Sequence, residues 1–120
     1  MVHLSPSETA AGSSLLACLA LVTRTAPEMR LNQVVMFLIT ARNEGLLMAD
    51  LAHQCGESYS TVSRGIRKLA SPGDPGALAP AYGLVELLSD AADRRARHIV
   101  LTDKGRALAQ RLTAALAGRG

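Results

Sequence analysis

Apolar residues recur through most of the chain at the three- to four-residue spacing of an α-helix. The clearest case is a helix predicted from Ser58, which caps it, to about Ala70. A shorter helix over residues 49–55 precedes it, and Gly56 stands between them, where glycine permits the positive φ of a sharp reversal. The pattern predicts a helix-turn-helix. The stripe that its second helix buries is formed by Val62, Ile66 and Leu69.

The opposite face of that second helix carries cations and hydroxyl groups and no acid. Arginine pairs with guanine edges and with phosphates, and hydroxyls bind phosphates, so this is the chemistry of a helix that enters a DNA major groove. The alternative is an amphipathic helix pair packed for structure alone, whose cations are only solvated. The residues predicted to contact DNA from this helix are Ser58, Ser60, Thr61, Ser63, Arg64, Arg67 and Lys68.

Two further helices are predicted before this motif. The segment 5–8, Ser-Pro-Ser-Glu, has the cap, the first-position proline and the returning glutamate of a helix start, and that helix runs over about 6–24. Between residues 15 and 22 it is apolar almost all round, so it must be covered on more than one side, and we infer a second subunit. The next helix spans residues 31–43 and carries Phe37 as a central core residue.

The second half of the chain predicts a loop, a β-hairpin and a helix. Residues 71–81 contain three prolines and two glycines, which exclude regular structure. Residues 83–102 read as two strands around a polar, charged tip. Thr102 then caps a last helix over about 103–117. The predicted strands are residues 84–88 and 97–101, and a short extended piece is expected at 46–48.

Composition narrows the class of protein. The 120 residues fit one domain, and 48% apolar residues with only 2% aromatic ones indicate a helical core built from aliphatic side chains. The net charge of +3 favours a polyanion such as nucleic acid as the partner. The longest apolar run, residues 15–22, is much shorter than the ~20 residues of a membrane span, and Glu8 upstream is unlike a signal peptide. We therefore expect a cytoplasmic protein without membrane contact.

Residue types that serve catalysis or metal binding are scattered along the chain. Cys18 and Cys55 form no CxxC pair and lie in apolar helical surroundings, so we expect reduced, packed thiols rather than redox-active ones. His53 and Cys55 are two residues apart on a helix and do not face each other, which argues against a metal site. No nucleophile and base fall at a helpful spacing. We expect no enzyme activity, no cofactor and no metal.

Taken in order, these elements make a winged helix-turn-helix, a mainly α fold with a small β-hairpin wing (α+β). The sequence resembles the MarR family of bacterial transcriptional regulators over roughly residues 8–115. Two features depart from the family pattern: the 71–81 loop is an insertion before the wing, and the chain is short at its C-terminus. The matching motifs are Ser-Thr-Val-Ser-Arg at 60–64, Gly-Leu-Val at 83–85, Asp-Arg-Arg at 93–95, and Leu101-Thr102 followed by Gly105.

The resemblance implies one domain over residues 1–120 and a homodimer whose interface includes the first helix (about 6–24) and the last helix (about 103–117). The implied function is sequence-specific binding of double-stranded DNA by a repressor, on an inverted-repeat operator with half-sites about 10 base pairs apart. Some family members hold a ligand between their dimer and DNA-binding parts, so the resemblance admits a small-molecule effector. The alternative, from another class, is a winged-helix protein-interaction or assembly module without its own operator.

The resemblance also assigns roles in the wing. Arg95 is expected to dip into the minor groove, because a narrow groove concentrates negative potential. Asp93 is expected to hold the wing tip in shape by accepting backbone N–H bonds and pairing with a neighbouring arginine. The alternative is a hairpin whose charges are only solvated. The wing residues predicted to bind DNA are Arg94, Arg95 and Arg97.

Overall fold

Five α-helices and three β-strands make up residues 3–93 and 96–118, the part of the chain that the computed structural model describes. Their order confirms the predicted fold class, a mainly helical winged helix-turn-helix. The elements are α1 (Pro6–Thr25), α2 (Leu31–Arg42), β1 (Leu46–Leu47), α3 (Met48–Cys55), α4 (Tyr59–Arg67), β2 (Val85–Ser89), β3 (Arg97–Leu101) and α5 (Asp103–Leu116).

Side-chain hydrogen bonds cap the N-terminal ends of α1 and α5. At α1 the Ser5 hydroxyl accepts the Glu8 N–H at 3.2 Å, and the Glu8 carboxylate accepts the Ser5 N–H at 3.1 Å. Hydrogen bonds to the Glu8 carboxylate, first from the Ser5 hydroxyl and then from the Ser5 N–H, lower the pKa of Glu8. At α5 the Thr102 hydroxyl accepts the Gly105 N–H at 3.0 Å. Both caps were predicted from the sequence. In each, a hydroxyl oxygen accepts a hydrogen bond from an N–H group at the helix start that has no partner within the helix.

The strands form one antiparallel sheet in the order β1-β3-β2. β2 and β3 are the predicted hairpin, with Leu87 opposite Ile99 and Ser89 opposite Arg97. The short extended piece expected near residue 46 is the strand β1, which pairs with β3 through Leu46 and Ile99. The wing is therefore a three-stranded unit anchored to the scaffold just before the helix-turn-helix.

Helix α4, the second helix of the helix-turn-helix, is shorter than predicted. It ends at Arg67, whereas the apolar spacing extended it to about Ala70. The carbonyl groups of its last residues accept N–H groups from the following loop: Arg67 O from Leu78 at 2.9 Å and Lys68 O from Tyr82 at 3.1 Å. The loop thus replaces a further helical turn, while Leu69 still packs inside with no exposed surface.

One core joins all of these elements. α1 packs on α5. The helices α2, α3 and α4 pack on one another, and α2 and α3 also pack on the sheet. Phe37 is fully buried at the centre, as predicted. Among the described residues, no helix combines the length and the apolar character that a membrane span requires. The largest fully buried side chains are Phe37, Met36, Leu51, Ile66, Leu69, Leu84, Ile99, Val62 and Val85.

Candidate nucleic-acid interface

Helix α4 has a buried face and an open face. Val62 and Ile66 have no exposed surface, whereas Ser60 and Arg64 on the other side are exposed. The left-handed Gly56, with φ of +68°, turns the chain between α3 and α4, in agreement with the sequence prediction. An exposed face of hydroxyl and guanidinium groups on a helix held by its apolar side is suited to reading the edges of bases in a groove.

Helix α2 holds α4 through a residue that the sequence analysis did not single out. Gln33 is 5% exposed, its amide nitrogen donates to the Gly65 carbonyl at 3.1 Å, and its amide oxygen accepts the Arg30 N–H at 2.7 Å. Gly65 packs closely on Met36, so that a Cβ at position 65 would come within 2.9 Å of the Met36 sulfur. The sequence did contain a signal for this contact. Gln33 is a polar residue among apolar neighbours in α2, and a buried amide needs hydrogen-bond partners.

Ser58 and Thr61 serve the start of α4 as well as lying at the predicted interface. The Ser58 hydroxyl accepts the Thr61 N–H at 3.2 Å and lies 2.9 Å from the Thr61 hydroxyl. Both side chains remain exposed. Their first role is to cap the helix, and this fixes the direction in which Ser60 and Arg64 point.

Arg67 and Lys68 are placed differently from the sequence prediction, which put both on the open face. Arg67 is half-buried, and its Nε donates to the Gly76 carbonyl at 2.7 Å. Lys68 is the half-buried C-cap of the shortened helix. The cause is the 71–81 loop, which folds back against the end of α4 and takes up part of the surface that the helical projection left open. Arg67 is therefore turned towards the wing rather than straight outwards.

A cleft separates α4 from the wing, and cations from both sides line it. Arg97 of β3 is half-buried and donates to the Ser89 hydroxyl at 3.0 Å. The cleft encloses about 340 Å³. The structure thus brings Ser63, Arg67 and Arg97 together, three of the residues predicted from sequence. Arg94 and Arg95 lie outside the described residues. The cleft is lined by Met48, Tyr59, Ser63, Arg67, Pro75, Gly76, Leu87 and Arg97.

The wing tip is organised around Asp90. Its Oδ1 accepts the Ala92 N–H at 2.8 Å, and its Oδ2 lies 3.1 Å from His98 Nε2. The bond to His98, with help from the Ala92 N–H, lowers the pKa of Asp90. The carbonyl of Asp93 accepts the Ala96 N–H at 3.0 Å. Asp90 thus accepts a backbone N–H at the wing tip, and the role expected of the Asp93 side chain, accepting backbone N–H bonds and pairing with an arginine, remains a prediction.

His98 connects the wing to the scaffold. Its Nδ1 lies 2.8 Å from the Gly45 carbonyl and its Nε2 lies 3.1 Å from the Asp90 carboxylate. Both partners are acceptors, so both hydrogen bonds form together only when the two ring nitrogens carry protons. The Gly45 carbonyl first and the Asp90 carboxylate second raise the pKa of His98. Sequence reasoning missed this residue because its partners are 53 and 8 positions away.

We expect the wing to lose stability as the pH rises through the pKa of His98. Because the folded-state pKa lies above the ordinary value of 6.5, this contribution is complete below pH 6.5 and disappears above the folded-state pKa. Titration of the imidazole resonances by NMR measures that pKa directly, and Asp90→Asn should lower it. An imidazole pKa that is the same in the wild type and in Asp90→Asn would contradict the pairing.

A second surface is an apolar groove of about 940 Å³ between α1, α2 and α5. Leu15 on its α1 side is 53% exposed, and Leu116 on its α5 side is 64% exposed. Below the groove the Cys18 thiol donates to the Leu112 carbonyl at 3.4 Å, which joins α1 to α5. The apolar residues lining the groove are Leu15, Cys18, Leu19, Val22, Leu31, Val34, Val35, Leu38, Ala41, Leu101, Ala109, Leu112, Ala114 and Leu116.

Potential metal ligands do not cluster in the described parts of the chain. Within residues 3–93 and 96–118, no group of three or more His, Cys, Asp or Glu side chains is arranged to hold a metal ion. Cys55 is half-buried beside the turn, and burial, followed by the charge of Glu57, raises the pKa of its thiol. A raised pKa keeps a thiol protonated and unreactive at neutral pH.

Known structures share this architecture, although no protein-family model and no curated protein matches the sequence. The MepR–DNA complex of S. aureus aligns with a TM-score of 0.72 and 19% identity over 92% of this chain and 81% of that chain. A MarR transcriptional regulator from Methanosarcina mazei Go1 gives 0.66 and 19% over 93% and 72%. PcaV of Streptomyces coelicolor, in complex with its natural ligand, gives 0.59 and 20% over 99% and 80%. The chain therefore has the winged-helix fold of MarR-family regulators, which confirms the fold that its motifs predicted.

Proposed function

We propose that this chain is a transcriptional regulator that binds double-stranded DNA as a dimer and acts as a repressor in the cytoplasm. The observation that carries the proposal is α4, which exposes Ser60 and Arg64 while its other face is sealed by Val62 and Ile66. The wing lies beside it with a further cation, Arg97. MepR, which shares the fold, has been solved in complex with DNA.

The residues divide by the part of DNA that each would reach. Arg64 and Ser60 stand in the middle of the open face and would contact base edges in the major groove. Ser63, Arg67 and Arg97 line the cleft and would hold the phosphates that pass between the helix and the wing. The other predicted phosphate contacts are Ser58, Thr61 and Lys68, and the predicted wing contacts Arg94 and Arg95 lie outside the described residues.

The apolar groove supports the dimer. Exposed apolar side chains gather along α1 and α2, with Leu116 on α5, and a contiguous apolar surface of this kind marks an interaction site. The occupant that we propose is a second copy of the chain, because a regulator with one recognition helix needs two to reach both halves of an inverted repeat. An apolar effector would bind in the part of the groove between α1, α2 and α5 that the second copy leaves open, and PcaV has been solved with its natural ligand.

Leu15→Glu should separate the dimer into monomers, because Leu15 lines the apolar groove and is 53% exposed. A carboxylate placed at an apolar interface loses its hydration without gaining a partner, and truncation or replacement of a central anchor typically weakens association roughly 30-fold or more. Sedimentation analysis should show the wild type at twice the 12.6 kDa chain mass and the variant at the chain mass. Leu88→Glu is the matched control, since Leu88 is 45% exposed on the wing, away from α1 and α5. A monomeric wild type would contradict the proposed dimer.

Selection from genomic DNA fragments tests the proposed function. The purified protein should enrich an inverted repeat whose half-sites are centred about 10 base pairs apart, because two α4 helices related by a twofold axis reach successive major grooves on one side of the duplex. A protein-interaction module without its own operator would enrich no sequence. That result would replace our proposal with the alternative.

A further inference from the structure

We infer that the 71–81 loop is a strut that fixes the wing relative to α4, with Arg67 and Asp74 as positioning residues for sequence-specific recognition. The inference rests on the proposed function, because it concerns how α4 and the wing meet the same DNA. It concerns a segment that departs from the pattern of the family that the sequence resembles. The contacts that carry it run in one chain from α4 to β2.

The loop is first joined to the end of α4 by backbone hydrogen bonds. The Leu78 N–H donates to the Arg67 carbonyl at 2.9 Å, and the Tyr82 N–H donates to the Lys68 carbonyl at 3.1 Å. The last carbonyls of a helix have no intrahelical donors, so these bonds satisfy groups that would otherwise need water. The end of α4 and the loop therefore form one unit.

Asp74 joins that unit to the wing. Its Oδ1 accepts the Gly76 N–H at 2.9 Å, and its Oδ2 accepts the Leu87 N–H at 3.3 Å. Leu87 lies in the middle of β2, which is the outer strand of the described sheet. The carboxylate thus covers an edge amide of the wing, a group that would otherwise face solvent. The Asp74 carboxylate therefore joins the loop to the middle of β2.

Arg67 closes the connection from the other side, where its Nε donates to the Gly76 carbonyl at 2.7 Å. A Cβ at Gly76 would be in ordinary van der Waals contact with Leu87 Cδ1 at 3.4 Å and with Asp74 Oδ1 at 3.5 Å, so the loop lies against the strand here. The residues just after α4 also bond the start of β2, because the Leu84 and Val85 N–H groups donate to the Leu69 carbonyl at 2.7 and 3.1 Å. The loop adds a second link, from the helix to the middle of the wing strand.

A rigid spacing between α4 and the wing favours specific binding over general attraction to DNA. Two elements that must enter their grooves together lose less conformational freedom on binding when they are already held in place. Binding to any DNA sequence depends mainly on the number of phosphates that cations neutralise. Loss of the strut should therefore lower the affinity for the selected operator and leave the affinity for a scrambled duplex unchanged.

Asp74→Asn tests the strut, with Glu86→Gln as the matched control. Both variants remove one negative charge near the wing, but Glu86 is an exposed residue of β2 that no strut contact uses. In Asp74→Asn an amide NH₂ faces one of the two N–H donors, so one bond is lost. The readouts are affinities for the wild-type-selected duplex and for a scrambled duplex, together with hydrogen exchange of the Leu87 and Gly76 amides. Thermal unfolding verifies that both variants are folded.

We expect the ratio of specific to scrambled affinity to fall about tenfold in Asp74→Asn, the size typical for one hydrogen bond to a charged group, and to be preserved in Glu86→Gln. The amide that loses its acceptor, Leu87 or Gly76, should exchange faster in Asp74→Asn alone. Equal ratios in the two variants would overturn the positioning role, and unchanged exchange of both amides would overturn the strut itself. A wild type that selects no sequence would instead refute the proposed function, while the exchange measurement would still decide whether the loop holds the wing.

Discussion

Arg64→Ala should weaken operator binding by roughly 10- to 100-fold for each half-site, the ~1–3 kcal/mol of a bidentate contact to a base. Arg64 is the exposed cation at the centre of α4, with Val62 and Ile66 fixing the helix beneath it. Because the proposed dimer carries two copies, the loss in free energy is doubled. Titration of the selected duplex by fluorescence anisotropy measures it.

Arg42→Ala is the control for that prediction, once sedimentation shows that this variant is still a dimer, because Arg42 also lines the apolar groove. Arg42 is exposed at the C-terminal end of α2, while α2 contacts α4 near its other end through Gln33 and Met36. The two variants remove the same charge, so a general electrostatic effect would weaken binding equally in both. Sequence preference should relax only in Arg64→Ala. If the two variants bound the operator equally, Arg64 would not be a base contact.

Gly105→Ala should destabilise the fold by about 3 kcal/mol, or roughly 10–25 °C in the midpoint of thermal unfolding. A Cβ at Gly105 would collide with the Leu84 carbonyl oxygen, which is backbone and cannot swing aside. The Thr102 hydroxyl holds these two segments together, because it accepts the Gly105 N–H and donates to the Gly83 carbonyl at 2.6 Å. This close approach is the physical reason that glycine stands four residues after Leu101.

Gly12→Ala and Gly65→Ala are the reference variants with which the loss of stability in Gly105→Ala is compared. Gly12 lies within α1, and a methyl group added there would have no atom within 4 Å, so alanine should stabilise the helix by roughly 0.5–1 kcal/mol. At Gly65 the methyl would press on the flexible thioether of Met36, which can move, so an intermediate cost is expected. Thermal unfolding of the three variants should place Gly105→Ala far below the other two. A midpoint near that of the wild type would show that α5 does not need the close approach.

The parts of the fold that depend on neighbours along the chain were predictable from the sequence. The cap at Ser5, the turn at Gly56 and the buried stripe of α4 are each set by residues within one or two helical turns. The hairpin follows likewise from two apolar strands around a charged tip. Local propensity and periodicity act over these short distances, so they can be read without knowing what packs against them.

The orientation of Arg67 and the roles of Asp74 and His98 were not predictable. Arg67 is turned by Gly76, nine positions away, and Asp74 reaches Leu87, thirteen positions away. His98 contacts Gly45 across 53 positions. Each contact depends on how loop and strand meet in three dimensions. A sequence rich in proline and glycine shows only that the 71–81 loop is irregular, and not what it holds.

The measurement that bears most directly on the central claim is the salt dependence of binding to duplex DNA. We predict that the wild type binds a duplex of random sequence at low salt and that the logarithm of its affinity falls steeply and linearly with the logarithm of salt concentration, as phosphate contacts release counterions. Arg64→Ala should retain most of that slope, because a base contact carries sequence preference. Absence of binding at low salt, or an affinity that salt does not change, would contradict a DNA-binding function for α4 and the wing.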